Sequence, residues 1–274
     1  MDNKSHNMVL DKTLPFCSTP LWDLNLTWWT ENPDFTPCFH KTVMQYVPIA
    51  LLLLLSPYQF YSLSKSRHRG IPISLICITR IILTVLLIVL ELLLFVWFMV
   101  YKMYEEKSDV LAPLVNFLAY LLAFTLHILC VKYGLVTSGI LFVFWLFKVV
   151  LGAFTFRTVI NFVPFSDETD YLPSVCYFIE YALVCAVFFL NCWAESRPTH
   201  PHLEDWNDNP SPENQSSFLA QLFFTWFDPL AMRGWKSTLK ADELWGLSNQ
   251  NKSSGVIPKW DKNWFKSYEK AKQE

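Results

Sequence analysis

Four ionisable residues interrupt long apolar stretches of the sequence, namely Arg80, Glu91, Lys148 and Glu180. A charged side chain in the hydrocarbon of a bilayer costs about 3 kcal/mol on insertion scales, so it should face other helices and find a partner there. Two kinds of chemistry fit such a set. The carboxyl groups and the lysine would form a relay for protons or ions, or they would serve as polar contacts between helices. We favour the structural role, with Lys148 paired to Glu91, Glu180 or both.

Arg80 stands apart from the other three residues. Eleven positions separate it from Glu91, which is about three turns of helix, so both side chains should lie on one face. Arg80 is close to the end of its apolar stretch. We therefore expect its long side chain to snorkel towards the membrane surface.

Motifs for catalysis and metal binding are missing from the sequence. Gly134 and Gly139 have the separation of a phosphate-binding loop, but Ile140 and Leu141 follow where that loop needs lysine and a hydroxyl. No His-Glu-x-x-His or Gly-x-Ser-x-Gly run is present. His200 and His202 belong to a proline-rich connector and would make a poor metal site. We predict no catalytic residue, no metal ion and no cofactor for this chain.

Five apolar segments must position the four charges. They cover residues 43–63, 74–100, 110–130, 135–157 and 172–194, each close to or above the ~20 residues that a membrane crossing needs. The 274 residues are 53% hydrophobic and 17% charged, against roughly a quarter charged in soluble domains. The net charge of −2 offers no basic stripe for nucleic acid. The sequence predicts an all-α membrane protein built as a five-helix transmembrane bundle.

The residues before and after these segments define the other regions. We predict an extracellular N-terminal arm (1–42), the bundle (43–194), a cytoplasmic connector (195–215) and an amphipathic cytoplasmic linker (216–274). The basic loop with Lys65, Arg67 and Arg69 favours this orientation. No cleavable signal peptide is expected, because the polar start lacks a basic-then-apolar run.

The arm contains four prolines, which prevent a long helix and predict a cap of turns around Trp22, Trp28, Trp29 and Phe35. Cys17 and Cys38 flank this region. They would form a disulfide outside the cell, or remain two thiols in a reducing compartment. Asn25 begins an Asn-Leu-Thr glycosylation sequon.

An aromatic-rich apolar stripe at helical spacing opens the linker. We expect one amphipathic helix over residues 216–233, capped by Ser216 or Ser217, that lies in the membrane interface or docks on other helices. The alternative is the core face of a small soluble domain. A last helix over 259–274 should carry Trp260, Trp264 and Tyr268 on one face. The stripe consists of Phe218, Leu219, Leu222, Phe223, Trp226, Phe227 and Leu230.

Three stretches resemble the multidrug-resistance-associated transporters of the ATP-binding cassette subfamily C. They are LWDLNLTWWTENPDFTPCF (21–39), SRHRG (66–70) and SFLAQLFFTWFDPLAMRGWKSTLKADELWGL (217–247). The resemblance spans essentially the whole chain and is to the N-terminal accessory domain of five helices, followed by a linker called the lasso. It implies that Cys17 and Cys38 are an extracellular disulfide, that Asn25 is glycosylated, and that Phe218 to Leu230 form the amphipathic helix of the lasso.

The resemblance also implies a role in export. Members of that family use ATP and Mg²⁺ to export organic anions, such as glutathione conjugates, through a transport core that these 274 residues do not include. We expect an accessory module that supports folding, trafficking and positioning of the core in a multi-pass protein of the plasma membrane or a vacuole- or lysosome-type membrane. Its partners would be the bilayer and the transport core, in the same chain or a separate one. Whether the chain belongs to an enzyme depends on that core.

Two other functions remain open. The chain would be a stand-alone five-span protein that binds a channel or scaffold, as in the sulfonylurea-receptor branch of the same family. It would otherwise be a small ion or proton carrier that uses Lys148, Glu91 and Glu180. The first needs a native protein of this length, and the second needs conduction by the purified chain.

Overall fold

A computed structural model of the chain describes residues 17, 19–65, 74–101, 107–135, 137–162, 168–193, 211–246 and 252–273. The chain divides into two compact units, residues 1–195 and 196–274. The first unit contains the apolar segments and the second contains the linker.

Five long helices dominate the first unit, and each is long and apolar enough to cross a membrane. The predicted all-α membrane fold with five spanning segments is therefore confirmed, with helix ends that differ by a few residues. Pro48, Pro57, Pro113 and Pro173 lie inside these helices, as a packed membrane bundle tolerates. The helices are α3 (Val43–Lys65), α4 (Leu75–Tyr101), α5 (Lys107–Lys132), α6 (Gly139–Phe162) and α7 (Glu168–Asn191). Two short helices precede them, α1 (Leu24–Trp28) and α2 (Pro37–Lys41).

The five long helices pack as a closed ring. In spatial order the ring runs α3, α5, α4, α7, α6 and back to α3, with a further contact between α5 and α6. All five helices contribute buried apolar side chains to one core. Those side chains are Ile49, Leu52, Leu87, Ala119, Tyr120, Ala123, Leu126, Leu141, Phe144, Trp145, Val184 and Val187.

Gly152 lets α6 and α7 approach closely. A Cβ atom built at this position would lie 3.0 Å from the ring of Tyr181. The hydroxyl of Tyr177, one turn earlier on α7, donates a 2.7 Å hydrogen bond to the Gly152 carbonyl oxygen. A small residue at this contact is typical of membrane helices, where close packing and interhelical hydrogen bonds drive association.

The arm folds into a small cap of aromatic residues. The ring of Phe35 lies 5.6 Å from Trp22, 5.0 Å from Phe39 and 5.9 Å from Phe154 of α6, measured between ring centroids. Cys17 and Cys38 form a disulfide, with Cα atoms 5.8 Å apart. Trp22 and Phe35 therefore take the predicted part in the cap. Trp28 and Trp29 do not, since their side chains are 71% and 82% exposed.

The second unit corrects the predicted single helix over 216–233. The structure has α8 (Phe218–Leu222), a 3₁₀ turn at Thr225–Phe227 and α9 (Asp228–Lys236). Phe224 between them adopts a left-handed backbone, with φ of 58°, which ends the first helix. Ser217 caps α8 as predicted, accepting a 3.2 Å hydrogen bond from the Ala220 amide.

Two more helical segments follow in the described part of the second unit. A single 3₁₀ turn, Ala241–Glu243, follows α9 along the chain. The last helix begins earlier than expected and forms α10 (Ser253–Gln273).

Candidate functional site: a buried polar cluster in the bundle

Three of the four predicted intramembrane charges meet inside the ring of helices. Glu91 on α4, Lys148 on α6 and Glu180 on α7 are only 1%, 8% and 9% exposed. Two residues of α5 join them, Asn116 and Tyr120, which are one helical turn apart and therefore share a face. We call these five residues, together with Gln45 on α3, the polar cluster.

Asn116 lies at the centre of one half of the polar cluster. Its amide nitrogen donates to Oε1 of Glu91 at 3.1 Å and to Oε1 of Gln45 at 3.3 Å. Its amide oxygen accepts a 2.8 Å hydrogen bond from Nζ of Lys148. An amide suits this position because it can donate and accept at once. One side chain of α5 thus connects α3, α4 and α6.

Tyr120 organises the other half. Its hydroxyl donates a 2.7 Å hydrogen bond to Oε1 of Glu180, and its ring stacks on Trp145 with centroids 5.7 Å apart. Nζ of Lys148 lies 5.1 Å from the centre of the same ring, within range of a cation–π contact. Tyr120 itself is fully buried. The ring face and the hydroxyl of Tyr120 together link the Lys148 cation to the Glu180 carboxyl.

Lys148 reaches both carboxyl groups through intermediates rather than directly. Ion pairs within 4.0 Å join His40 to Asp34 and Lys41 to Asp109, both outside the cluster. Within the cluster, whose residues the structure describes, no such pair joins Lys148 to Glu91 or Glu180. The expected direct pairing of Lys148 is therefore replaced by contacts through Asn116 and Tyr120. An amide and a phenol separate the charges while leaving each one hydrogen-bonded or over a ring, which limits the cost of burial.

All five helices of the ring contribute to the polar cluster. Lipid tails are as apolar as leucine, so burial alone hardly favours one helix pairing over another in a bilayer. Polar groups that are hydrogen-bonded in only one arrangement of the helices do favour that arrangement. Any other arrangement leaves a buried charge without its contacts. The cluster can thus specify the order and register of the helices.

Arg80 lies away from the polar cluster, near one end of the bundle. Its guanidinium donates to the Leu190 carbonyl oxygen at 2.7 Å and to that of Trp193 at 2.6 Å. The side chain is 5% exposed, so the expectation that it snorkels is wrong. It instead satisfies carbonyl groups at the end of α7, where a cation is electrostatically favoured. Arg80 and Glu91 do share the buried face of α4, as their spacing predicted.

A second polar site joins the arm to α6. Nε2 of His40 lies 3.1 Å from Oδ1 of Asp34, and Nδ1 of His40 lies 3.1 Å from Oγ1 of Thr155. Thr158 donates to the same Asp34 oxygen at 3.0 Å, and Arg157 donates to the Pro33 carbonyl oxygen at 2.8 Å. These contacts, with the aromatic cap, hold the arm on one end of the helix.

Two further predictions concern possible modification and metal sites. Asn25 is exposed within α1, whose first turn is capped by Asp23, and the sequon residue Thr27 is partly buried. Exposure of Asn25 is compatible with glycosylation. His200 and His202 lie outside the described residues, and the described part of the chain has no group of three metal-binding side chains.

The aromatic stripe of the linker is divided between its own contacts and solvent. Leu230 is 7% exposed, and Trp226 packs on Phe227 and Trp245, with centroids 5.9 and 6.0 Å away. Phe218 and Leu219 are partly buried. Leu222, Phe223 and Phe227 remain 57%, 69% and 44% exposed. The broken helix therefore presents a shorter apolar surface than the continuous stripe would.

Sequence reasoning missed Gln45, Asn116, Tyr120 and the contacts of His40 with Asp34. The usable signal was on α5, where Asn116 and Tyr120 stand one turn apart in an otherwise apolar segment. Uncharged polar side chains in such segments commonly bond across helices. A search limited to charged residues overlooks them.

A closed ring of five spanning helices around a buried polar cluster, with a capped N-terminal arm, defines an α-helical membrane domain. Residues 26–173 match the family described as the ABC transporter TMD0 domain. The chain belongs to this family.

Named relatives agree with this assignment. The chain is 32% identical over 260 residues to ATP-binding cassette sub-family C member 3 of Rattus norvegicus, covering 91% of this chain and 17% of that protein. It is 31% identical over 253 residues to the Homo sapiens member 3, covering 89% and 16%. It is 26% identical over 270 residues to member 2 of Rattus norvegicus, covering 94% and 16%. The chain thus spans about a sixth of the length of these relatives.

Proposed function

We propose that this chain is the accessory membrane domain and linker of an ATP-driven exporter of organic anions, including glutathione conjugates. Its family membership carries the proposal. The bundle would support folding and trafficking of the complete protein, and the linker would position the transport core. Hydrolysis of ATP with Mg²⁺ would take place in that core, and its membrane would be the plasma membrane or a vacuole- or lysosome-type membrane.

The exposed aromatic residues of the linker support a role in contacting the core. Leu222 and Phe223 are each more than half exposed at the break between α8 and α9. Full burial of one large apolar side chain contributes roughly 1.5–3 kcal/mol, so docking this surface on a transport core or in the membrane would be favourable. This surface gives the linker of residues 216–274 its lasso-type function.

The orientation of the chain is part of the proposal. We propose that the arm is extracellular, with a glycan on Asn25, and that the linker is cytoplasmic. The exposure of Asn25 supports a glycan at this position, and the disulfide of the arm fits an oxidising compartment. A glycosidase should lower the apparent mass of the protein on a gel, and Asn25→Gln should abolish that shift. A persistent shift in the variant would refute a glycan at this position.

ATP-dependent uptake of a glutathione conjugate by inside-out membrane vesicles tests the function. The complete protein should transport the conjugate, and Phe223→Asp should strongly reduce its uptake because a charge replaces an exposed aromatic contact. Thr225→Asp is the matched control, since it adds the same charge at an exposed polar position two residues away and should transport normally. Normal uptake by the Phe223→Asp protein would contradict the role of the linker.

A further inference from the structure

The last helix, α10, carries two ladders of side chains at the same spacing. Trp260, Trp264 and Tyr268 form one ladder at every fourth residue, and the other is formed by Lys262, Lys266 and Lys270. The two ladders are offset by two residues, which is about 200° around a helix, so they lie on opposite faces. α10 is thus aromatic on one side and basic on the other.

The aromatic face of α10 is open. Trp260, Trp264, Phe265 and Tyr268 are 53–60% exposed, and the rings of Trp260 and Trp264 stack in parallel with centroids 5.2 Å apart. Tryptophan and tyrosine are the residues enriched where a protein meets the membrane–water interface. Transfer of the side chains of this face out of water would be favourable in free energy, because each side chain buries a large apolar area.

The basic face indicates which surface covers the aromatic one. Lys262, Lys266 and Lys270 are exposed, and from Trp260 to Gln273 there are four lysines against Asp261 and Glu269. A helix is about 10 Å thick, comparable with the Debye length of about 8 Å at physiological salt. Lysines on the far side of a helix lying on the bilayer therefore still feel the potential of anionic headgroups.

We infer that α10 lies in the interface of an anionic lipid leaflet. Trp260, Trp264 and Tyr268 lie among the headgroups, and the negative charge of those headgroups attracts Lys262, Lys266 and Lys270. This pattern of aromatic and basic faces is typical of interfacial helices. The five spanning helices tether α10 to a membrane, which keeps the local concentration of lipid surface high. The inference concerns residues outside the stripe of α8 and α9 and does not depend on transport.

Hydrogen–deuterium exchange of the whole 274-residue chain tests the inference. The chain is placed in nanodiscs of phosphatidylcholine, in nanodiscs that also contain phosphatidylserine, and in neutral detergent. Amides of α10 should exchange several-fold more slowly in the phosphatidylserine discs than in either other medium. Exchange in the five spanning helices should be the same in both kinds of disc and reports an intact bundle.

Two matched variants make the test specific for charge. Lys262→Gln/Lys266→Gln should lose the slowing by phosphatidylserine, whereas Lys236→Gln/Lys240→Gln, which removes two exposed lysines of the linker outside α10, should keep it. Equal exchange of α10 in both discs would overturn the inference. Equally slow exchange in neutral detergent would also overturn it, because anionic lipid would then not be needed to cover the aromatic face.

Discussion

The hydroxyl of Tyr120 donates a 2.7 Å hydrogen bond to the carboxyl of Glu180, sixty residues further along the chain. The bond joins α5 to α7, two helices that are not adjacent in the ring. The ammonium of Lys148 lies over the ring of Tyr120, 5.1 Å from the centre of that ring. One side chain thus connects three helices, which makes the polar cluster a determinant of how the bundle assembles.

Replacement of Lys148 by methionine should destabilise the bundle by about 3 kcal/mol, because it removes the only cation of the polar cluster and leaves the buried carboxyl groups of Glu91 and Glu180 without it. Methionine keeps much of the volume of lysine, so a cavity is not the cause. Thermal unfolding in detergent and delivery to the cell surface measure the effect. Lys132→Met, at the exposed end of α5, is the control. Unchanged folding and delivery of Lys148→Met would refute the structural role of the cluster.

A double-mutant cycle on Tyr120 and Glu180 should give a coupling energy of about 1 kcal/mol, as measured for hydrogen bonds between membrane helices. Tyr120→Phe removes the hydroxyl but keeps the ring on Trp145, and Glu180→Gln keeps the shape of the acceptor. The free energies of unfolding of both single variants and the double variant provide the cycle. Strict additivity would show that the two side chains do not interact.

Gly152→Val should destabilise the contact between α6 and α7 by about 2 kcal/mol, the usual cost of overpacking. The new side chain would meet the ring of Tyr181, which lies 3.0 Å from an added Cβ. Ala153→Val is the control, because the neighbouring residue is exposed and has room for the added methyl groups. Equal melting temperatures of the two variants would contradict this close approach.

Loss of the arm disulfide should lower stability by about 3 kcal/mol, since the bond closes a loop with a sequence separation of 21. Cys17→Ser, Cys38→Ser and the double variant should be affected similarly, and a reductant should destabilise the wild type but none of these three variants. The rate of proteolysis of the arm measures this loss of stability. A control, Cys176→Ser, removes a cysteine outside the disulfide. An arm as resistant to protease without the bond would argue against its role.

The fold was largely predictable because membrane crossing imposes a length and a composition that the sequence displays directly. The five segments and the exceptional status of Glu91, Lys148 and Glu180 followed from that constraint. The contacts did not follow. Asn116 and Tyr120 are ordinary residues by type, and their importance arises from which helices the ring places beside α5. The sequence predicts that Arg80 snorkels to the membrane surface. Its actual partners, the C-terminal carbonyl groups of α7, lie in a distant part of the sequence and are not indicated by the residues around Arg80.

The linker shows a different limit. Its apolar residues fit a continuous helical period, so periodicity predicted one helix across 216–233. The left-handed backbone at Phe224 breaks it, a conformation that most side chains disfavour and that local composition did not indicate. Trp226 then turns to Trp245, a tertiary contact that overrides the local pattern.

The size of the native protein tests the central claim most directly. An immunoblot of native membranes, with an antibody raised against residues 252–273, measures it. If the chain is the accessory domain of an exporter, the band should be several times the 32.1 kDa of these 274 residues. A single band near 32.1 kDa would contradict the account and indicate a module that works without a covalently attached transport core.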